Sequence, residues 1–246
     1  MNFFTLFGKY LLLIKRSFGR PLNHRYFFRQ LVNEISSIGM SSIGIVFIIS
    51  AFMGAVLVIQ AGYNMDNPLI PAFTIGYGVR ESIILEFAPT IVSLILAGKI
   101  GSSISSQIGT MRVTEQIDAL EIMGVNSANH LILPKIIAAL FSFPFLIAIS
   151  MMIGMGGGYA AAVIWNIVSA NDFISGLNYA FVPFELIYAI IKSIVFGFII
   201  VSVSSFYGYY AKGGAEDVGR ASTKAVVYSS ITILVMNLVL TKMILG

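Results

Sequence analysis

Charged residues are rare in this chain, and two that fall inside long apolar runs are the first candidates for chemistry. Glu86 lies near one end of such a run, and Lys192 lies inside another. An ionisable side chain within a membrane span is costly and by default indicates function. Two interpretations stay open: the side chains contribute to the path of a substrate, or they form one structural pair or reach an interface.

Residues that could carry catalysis are scarce. The histidines are His24 and His130, which lack ligand spacing such as HExxH. The sequence contains no cysteine, which excludes disulfides, thiol nucleophiles and Cys-ligated metals. Serines are abundant, but none lies in a GxSxG motif. The sequence therefore predicts no catalytic residues, no metal site and no cofactor, and it favours a protein that is not an enzyme.

A glycine-rich segment at residues 214–221, GAEDVGRA, is superficially like a phosphate-binding loop. That loop needs Lys to reach the phosphates and Ser or Thr to hold magnesium, whereas the corresponding residues are Arg220 and Ala221. The segment also lies between apolar runs, where no parallel sheet is expected. We interpret residues 207–224 as a tight cytoplasmic loop rather than a nucleotide site.

Residues 110–124 form a polar, acidic island between two apolar runs. Thr114 is suited to cap a helix, Glu115 and Gln116 suit its first turn, and Gly124 suits its end. Acidic and apolar side chains each recur every third residue, on adjoining faces: Glu115, Asp118 and Glu121, and Ile117, Leu120 and Met123. The pattern predicts a short helix that rests on one face and offers acid to a partner with the other. A solvated loop helix without a partner is the alternative.

The composition indicates that lipid is the main solvent of this chain. Of its 246 residues 57% are hydrophobic and 11% charged, against roughly 25% charged in soluble domains, and the mean hydropathy is +0.90. A membrane span takes ~20 apolar residues. Five runs meet that requirement: residues 39–59, 83–108, 131–164, 184–206 and 225–245. Residues 62–82 and 166–183 are expected to be connections.

Two amphipathic segments precede the first span. Apolar residues recur at helical spacing in both, and basic residues are interspersed among them. This composition is typical of helices that lie in the membrane interface; cytoplasmic helices packed on the protein are the alternative. We therefore expect residues 1–38 to form N-terminal interfacial helices and residues 39–246 to form one transmembrane domain.

The distribution of lysine and arginine predicts the topology. These residues concentrate in the N-terminal segment, around residues 110–124 and in residues 207–224, whereas the alternate connections contain only Arg80. Cytoplasmic loops carry the excess of basic residues. The N-terminus and the acidic island are therefore expected in the cytoplasm and the C-terminus on the far side. The net charge of +4 then reflects topology rather than binding to nucleic acid.

The predicted fold is thus an all-α membrane protein. It has five transmembrane helices, N-terminal interfacial amphipathic helices before them, and a short cytoplasmic helix between the second and third spans. Four stretches of sequence together resemble the MlaE/YrbE permeases, the membrane subunits of lipid ABC transporters associated with MCE proteins. They are EFAP at 86–89, LAGKIG at 96–101, GTMRVTEQIDALEIMG at 109–124 and GAEDVGRAST at 214–223. The resemblance extends from about the first span to the C-terminus, and residues 109–124 are its most specific part.

This resemblance implies a homodimer of five-span subunits in the bacterial inner membrane. It also implies a cytoplasmic ATPase on each subunit, an MCE-domain lipid carrier on the periplasmic side and, in some systems, a STAS-domain protein. Residues 114–124 would be the coupling helix that docks on the ATPase. Glu86 and Lys192 match positions of a lipid-binding cavity between the subunits. Where family members often have Arg before that glutamate, this chain has Leu85.

The function implied by the resemblance is that of a permease subunit. It would move phospholipid or a related lipid between the inner membrane and an MCE protein, driven by a separate ATPase docked on residues 114–124. The alternative is a self-sufficient secondary transporter or channel in which Glu86 and Lys192 handle ions or protons. Transport by the purified chain under an ion gradient, without ATP, would distinguish the second function from the first.

Overall fold

The computed structural model describes residues 3–19, 24–64 and 71–244, and within these ranges the regular elements are helices, with no β-strand. The α-helices are α1 (Phe3–Ser17), α2 (His24–Ile35), α3 (Ser41–Asn64), α4 (Phe73–Ser82), α5 (Val92–Leu96), α6 (Ser102–Val113), α7 (Gln116–Ile122), α8 (Ser127–Ile164), α9 (Ala170–Asn178), α10 (Phe184–Tyr209) and α11 (Ala215–Ile244). Three π-helical segments join some of them: Ser36–Met40, Ile83–Ile91 and Ala97–Gly101.

Five continuous helical runs of the described chain are long and apolar enough to cross a membrane. They are Arg25–Tyr63, Phe73–Val113, Ser127–Ile164, Phe184–Tyr209 and Ala215–Ile244. The expected all-α membrane fold with five candidate spans is therefore confirmed. The runs are longer than the apolar stretches that predicted them, since helical hydrogen bonding continues into flanking polar residues.

Two of the expected loops are largely helical. The segment 62–82 was expected to be a connection, but α3 continues to Asn64 and α4 begins at Phe73. Pro71 does not prevent this, because it precedes the first turn, where a missing N–H costs nothing; its carbonyl accepts a hydrogen bond from the N–H of Thr74 at 3.0 Å. The connection 166–183 likewise contains α9.

The expected glycine-rich loop at residues 207–224 is also shorter than predicted. Helix α10 ends at Tyr209 and α11 begins at Ala215, so only residues 210–214 are non-helical. Gly213 makes the reversal with a φ of +101°, which glycine adopts without strain. Glu216 and Asp217 then lie in the first turn of α11, where negative charge complements the helix dipole.

The π-helical segment Ile83–Ile91 accommodates Pro89 within an otherwise continuous helical run. Proline lacks an N–H and its ring collides with the carbonyl four residues earlier in an α-helix. The wider π turn changes this hydrogen-bonding pattern, and π segments inside α-helices occur frequently at functional sites. Glu86 lies in this segment.

The described chain divides into two compact units, which we treat separately. The first unit comprises residues 1–41, 94–143 and 194–246, and the second comprises residues 42–93 and 144–193. In the first unit the buried ammonium of Lys135 donates to the carboxylate of Glu34 at 2.5 Å and to Gln107 Oε1 at 2.7 Å. These contacts fix α2, α6 and the first part of α8 to one another.

In the second unit, α3 and the later part of α8 approach through glycine. A side-chain carbon added to Gly54 would lie 1.8 Å from the carbonyl oxygen of Gly154, and one added to Gly157 would lie 2.3 Å from that of Ala51. Small residues allow such close packing of helices in a bilayer. Ser50 donates a hydrogen bond to Ser150 at 2.8 Å across the same contact.

We predict that Gly54→Ala lowers the thermal stability of the protein, because the methyl group must separate α3 from α8. Overpacking of this kind typically costs about 1–3 kcal/mol. Gly156→Ala is the matched control, since no heavy atom lies within 4 Å of the position its methyl carbon would take. Thermal unfolding of both variants in lipid nanodiscs tests the prediction, and equal midpoints for the two would contradict it.

Candidate functional site

The acidic island contains helix α7, which follows α6 after a break of two residues. Thr114 was expected to cap α7, but its hydroxyl donates to the carbonyl oxygen of Thr110 at 2.8 Å and so belongs to the end of α6. Glu115 precedes α7 with a left-handed φ of 59°. The expected cap at Thr114 is therefore not formed, because a threonine hydroxyl readily bonds back to the carbonyl four residues earlier.

The C-terminal end of α7 is a tight turn. Gly124 has a φ of +77°, and its N–H donates to the carbonyl of Glu121 at 3.0 Å. The N–H of Val125 donates to the carbonyl of Leu120 at 3.0 Å. A left-handed glycine with these bonds satisfies the last carbonyls of a helix.

Two of the three acidic residues predicted to face a partner form hydrogen bonds or ion pairs within the first unit instead. Glu121 Oε1 accepts hydrogen bonds from Ser127 at 2.7 Å, Tyr209 at 2.9 Å and Arg16 at 3.0 Å. Asp118 pairs with Arg112 at 2.6 Å. These carboxylates tie α7 to its own unit, and Glu115 is the member of the acidic series that remains exposed without an ion pair among the described residues.

The network around Glu121 also changes its acidity. The hydrogen bond from Ser127 is the main cause that lowers the pKa of Glu121; partial burial opposes it, and Tyr209 and the charge of Arg16 lower it further. The carboxylate is therefore ionised at neutral pH, which strengthens the hydrogen bonds it accepts.

The face of α7 that meets solvent is partly apolar. Ile117 is fully buried, whereas Ile122 is 88% and Met123 68% exposed. Spacing by threes placed Met123 with Ile117, but α7 ends at Ile122, so Met123 leaves the helical face. The exposure of Ile122 is not evident from periodicity; the signal in the sequence is an apolar pair, Ile122 and Met123, directly before the terminating glycine in an otherwise polar segment.

Glu86 and Lys192 meet in the second unit. Lys192 Nζ donates to Glu86 Oε1 at 2.8 Å and to the carbonyl oxygen of Leu85 at 3.0 Å. It also lies 4.4 Å from the centre of the Tyr188 ring. Thr90 donates to the other carboxylate oxygen of Glu86 at 3.0 Å. The structural pair left open by the sequence is thus formed.

The two partners differ in their exposure at the surface of the unit. The Lys192 side chain is fully buried, while that of Glu86 is 43% exposed. The ammonium is held among protein oxygens and an aromatic face, and its charge attracts the neighbouring carboxylate. Glu86 therefore presents a fixed acceptor at the protein surface, which suits binding of a polar or cationic group rather than catalysis.

The chain is similar to known membrane proteins. A family model described as Permease MlaE matches residues 31–243. A probable ABC transporter permease protein of Rickettsia bellii is 37% identical to this chain, over 88% of this chain and 83% of the length of that protein. The intermembrane phospholipid transport system permease protein MlaE of Haemophilus influenzae is 29% identical over 100% of this chain and 94% of its own. The chloroplastic protein TRIGALACTOSYLDIACYLGLYCEROL 1 of Arabidopsis thaliana is 31% identical over 90% of this chain and 63% of its own.

We predict an asymmetric response when the Glu86–Lys192 pair is broken. Glu86→Gln leaves a buried ammonium without its counterion. The free energy of unfolding should therefore fall by close to the ~3–5 kcal/mol that is typical of broken buried pairs. Lys192→Met leaves a half-exposed carboxylate to which Thr90 still donates a hydrogen bond, so its loss of stability should be smaller. The double variant should recover much of the loss from Glu86→Gln. Thermal unfolding of the four proteins tests this, and equal losses for the two single variants would contradict it.

We also predict that the attachment of α7 depends on pH. Because the folded pKa of Glu121 lies below its ordinary value of 4.5, its stabilising contribution is complete above that value and is lost as the pH falls through the folded pKa. Amide hydrogen exchange of residues 116–122, corrected for intrinsic rates, should increase as the pH is lowered from neutral to well below 4.5. Glu121→Gln should exchange faster at neutral pH, with the pH dependence reduced. Identical behaviour of the two proteins would refute the prediction.

Proposed function

Because the chain belongs to the MlaE permease family, we propose that it moves phospholipid or a related lipid between the inner membrane and a periplasmic MCE-domain protein. It acts as the membrane-spanning subunit of an ABC transporter, and ATP is hydrolysed in a separate cytoplasmic subunit. The observation that carries this proposal is the exposed apolar end of α7, which is anchored to its own unit and has an apolar surface open to a partner.

The ATPase docks on α7 through the residues that the unit itself leaves exposed. Ile122 and Met123, at the C-terminal end of α7, supply the apolar contact. The exposed residues Glu115, directly before α7, and Gln116, its first residue, lie at the other end. Apolar anchors surrounded by polar side chains are typical of the energetically dominant part of an interface. Asp118 and Glu121 contribute indirectly, because they hold α7 in place.

The lipid meets the half-exposed carboxylate of Glu86. Lys192 fixes that carboxylate from the buried side, so the group offered to the lipid has a defined position and charge. Leu85 contributes its backbone carbonyl to Lys192 and carries no charge of its own. The site therefore recognises a polar or cationic part of the lipid, and it does not supply an arginine to a phosphate at residue 85.

The functional form is a homodimer in the bacterial inner membrane. Exposed apolar residues recur at helical spacing along α11, as expected for a surface covered by lipid or by a second copy: Val227, Tyr228, Ile231, Leu234, Val235 and Leu238. The N-terminus lies in the cytoplasm and the C-terminus in the periplasm, according to the distribution of basic residues. Residues 1–38 serve as interfacial helices, and in some systems a STAS-domain protein accompanies the ATPase.

We predict that Ile122→Asp disrupts the complex with the ATPase, because it places a charge in the apolar contact. Recovery of the ATPase with the tagged permease, and ATP-driven movement of labelled lipid, should each fall at least tenfold, as expected for the loss of an interface anchor worth about 2 kcal/mol. The matched control is Ile164→Asp, which changes an isoleucine that is 69% exposed at the end of α8.

The control should retain both the ATPase and lipid movement. Both variants should also accumulate in the membrane and unfold at the temperature of the unsubstituted protein. Undiminished recovery of the ATPase with Ile122→Asp would refute docking through α7. Lipid movement by the permease alone under an ion gradient would instead support a secondary transporter.

A further inference from the structure

A cavity of about 380 Å³ lies beside the short loop that joins α10 to α11, within the first unit. Its wall is formed by α1, the end of α10, residues 210–212 and the first turns of α11. The volume falls in the range of small-molecule sites, roughly 300–1,000 Å³. None of the residues that form this cavity belongs to the Glu86–Lys192 pair or to α7.

The cavity carries an excess of positive charge. Its four cationic side chains are Lys9, Lys212, Arg220 and Lys224, against the single carboxylate of Asp217. Arg220 is already engaged, with Glu216 at 2.6 Å and with Asp217 at 3.9 Å. For the three lysines no ion pair occurs among residues 3–19, 24–64 and 71–244. Within that part of the chain, three ammonium groups therefore line a concave surface without a protein counterion.

The remaining wall is aromatic and apolar. Phe206 and Tyr207 come from the end of α10, Tyr210 from the loop that follows it, and Leu6 from α1. Lys9 Nζ lies 5.9 Å from the centre of the Tyr210 ring. The cavity therefore combines cations with apolar surface, which suits a ligand that is anionic at one end and hydrocarbon at the other.

Helix α1 is fixed against α10 by a partly buried polar contact. Tyr10 donates a hydrogen bond to Ser202 at 2.8 Å, and its ring meets the edge of Phe206 at 5.8 Å. Burial raises the pKa of Tyr10, so the phenol remains a neutral donor at physiological pH. The wall from α1 is thus formed before any ligand binds, which reduces the ordering cost of binding.

We propose that this cavity binds the phosphate-bearing headgroup of an anionic phospholipid, independently of the lipid that is transported. Basic pockets between membrane helices on the cytoplasmic side bind anionic headgroups, and the cytoplasmic leaflet is the anionic one. In the proposed topology residues 210–214 face the cytoplasm. Leu6 and Phe206 form an apolar part of the cavity wall, which would contact the hydrocarbon next to the headgroup. A soluble phosphate shares the anionic chemistry but leaves this surface uncovered.

The test is lipid retention by the full-length chain, measured by native mass spectrometry. The protein is equilibrated with equal amounts of phosphatidylglycerol and phosphatidylcholine. The unsubstituted protein should retain phosphatidylglycerol preferentially. Each lysine near a membrane surface contributes about 1 kcal/mol, or roughly fivefold, so Lys212→Gln with Lys224→Gln should lower this retention roughly twenty-five-fold.

The matched control is Lys15→Gln with Lys242→Gln, which removes the same charge from two exposed lysines outside the cavity. It should retain phosphatidylglycerol as the unsubstituted protein does, and all three proteins should share one unfolding temperature. Equal retention of the two lipids by the unsubstituted protein, or equal loss in both double variants, would overturn the proposal. Inorganic phosphate at millimolar concentration should not displace the lipid; full displacement would assign the cavity to a soluble anion instead.

Discussion

The fold depends on hydrogen-bond acceptors for cationic side chains that are buried away from water. Lys135, Lys192 and Arg80 are almost fully buried, and an unpaired buried charge is among the most costly features a protein can contain. Each finds acceptors in a segment remote in sequence: Glu34 for Lys135, and Glu86 for Lys192. Arg80 donates to the backbone carbonyls of residues 177 and 179 at 2.8 Å. These contacts determine which helices of each unit meet, since hydrophobic association discriminates little among apolar helices in lipid.

Between these polar contacts the helices pack at glycine residues, where their backbones can approach each other closely. Within the second unit, glycine allows α3 to lie against the later part of α8, and α4 meets α9 where Gly76 and Gly176 face each other. In the first unit, an added side-chain carbon at Gly208 would lie 2.7 Å from the carbonyl of Ser105. Close approach maximises dispersion contacts, so small residues complete the packing that the ion pairs begin.

The sequence predicted the number and kind of the spans because a predominantly apolar run of ~20 residues has the length that crosses a bilayer. It did not predict where the helices end, because Pro71 and Gly214 are compatible with either a loop or a helix start. Charge within apolar runs identified Glu86 and Lys192 without revealing that only the carboxylate is exposed. The exposure of Ile122 and the cavity beside residues 210–214 depend on how α1, α7, α10 and α11 come together, which local periodicity does not contain.

The single carboxylate of Glu121 joins α7 to three other elements through Arg16 of α1, Ser127 at the start of α8 and Tyr209 at the end of α10. A displacement of α7 therefore acts on three helices at once through this one carboxylate. Because these hydrogen bonds are direct, even a small displacement of α7 is transmitted to the three helices. All three contacts depend on one side chain. If the hydrogen bonds of Glu121 were broken, α1, α8 and α10 would no longer follow a movement of α7 closely.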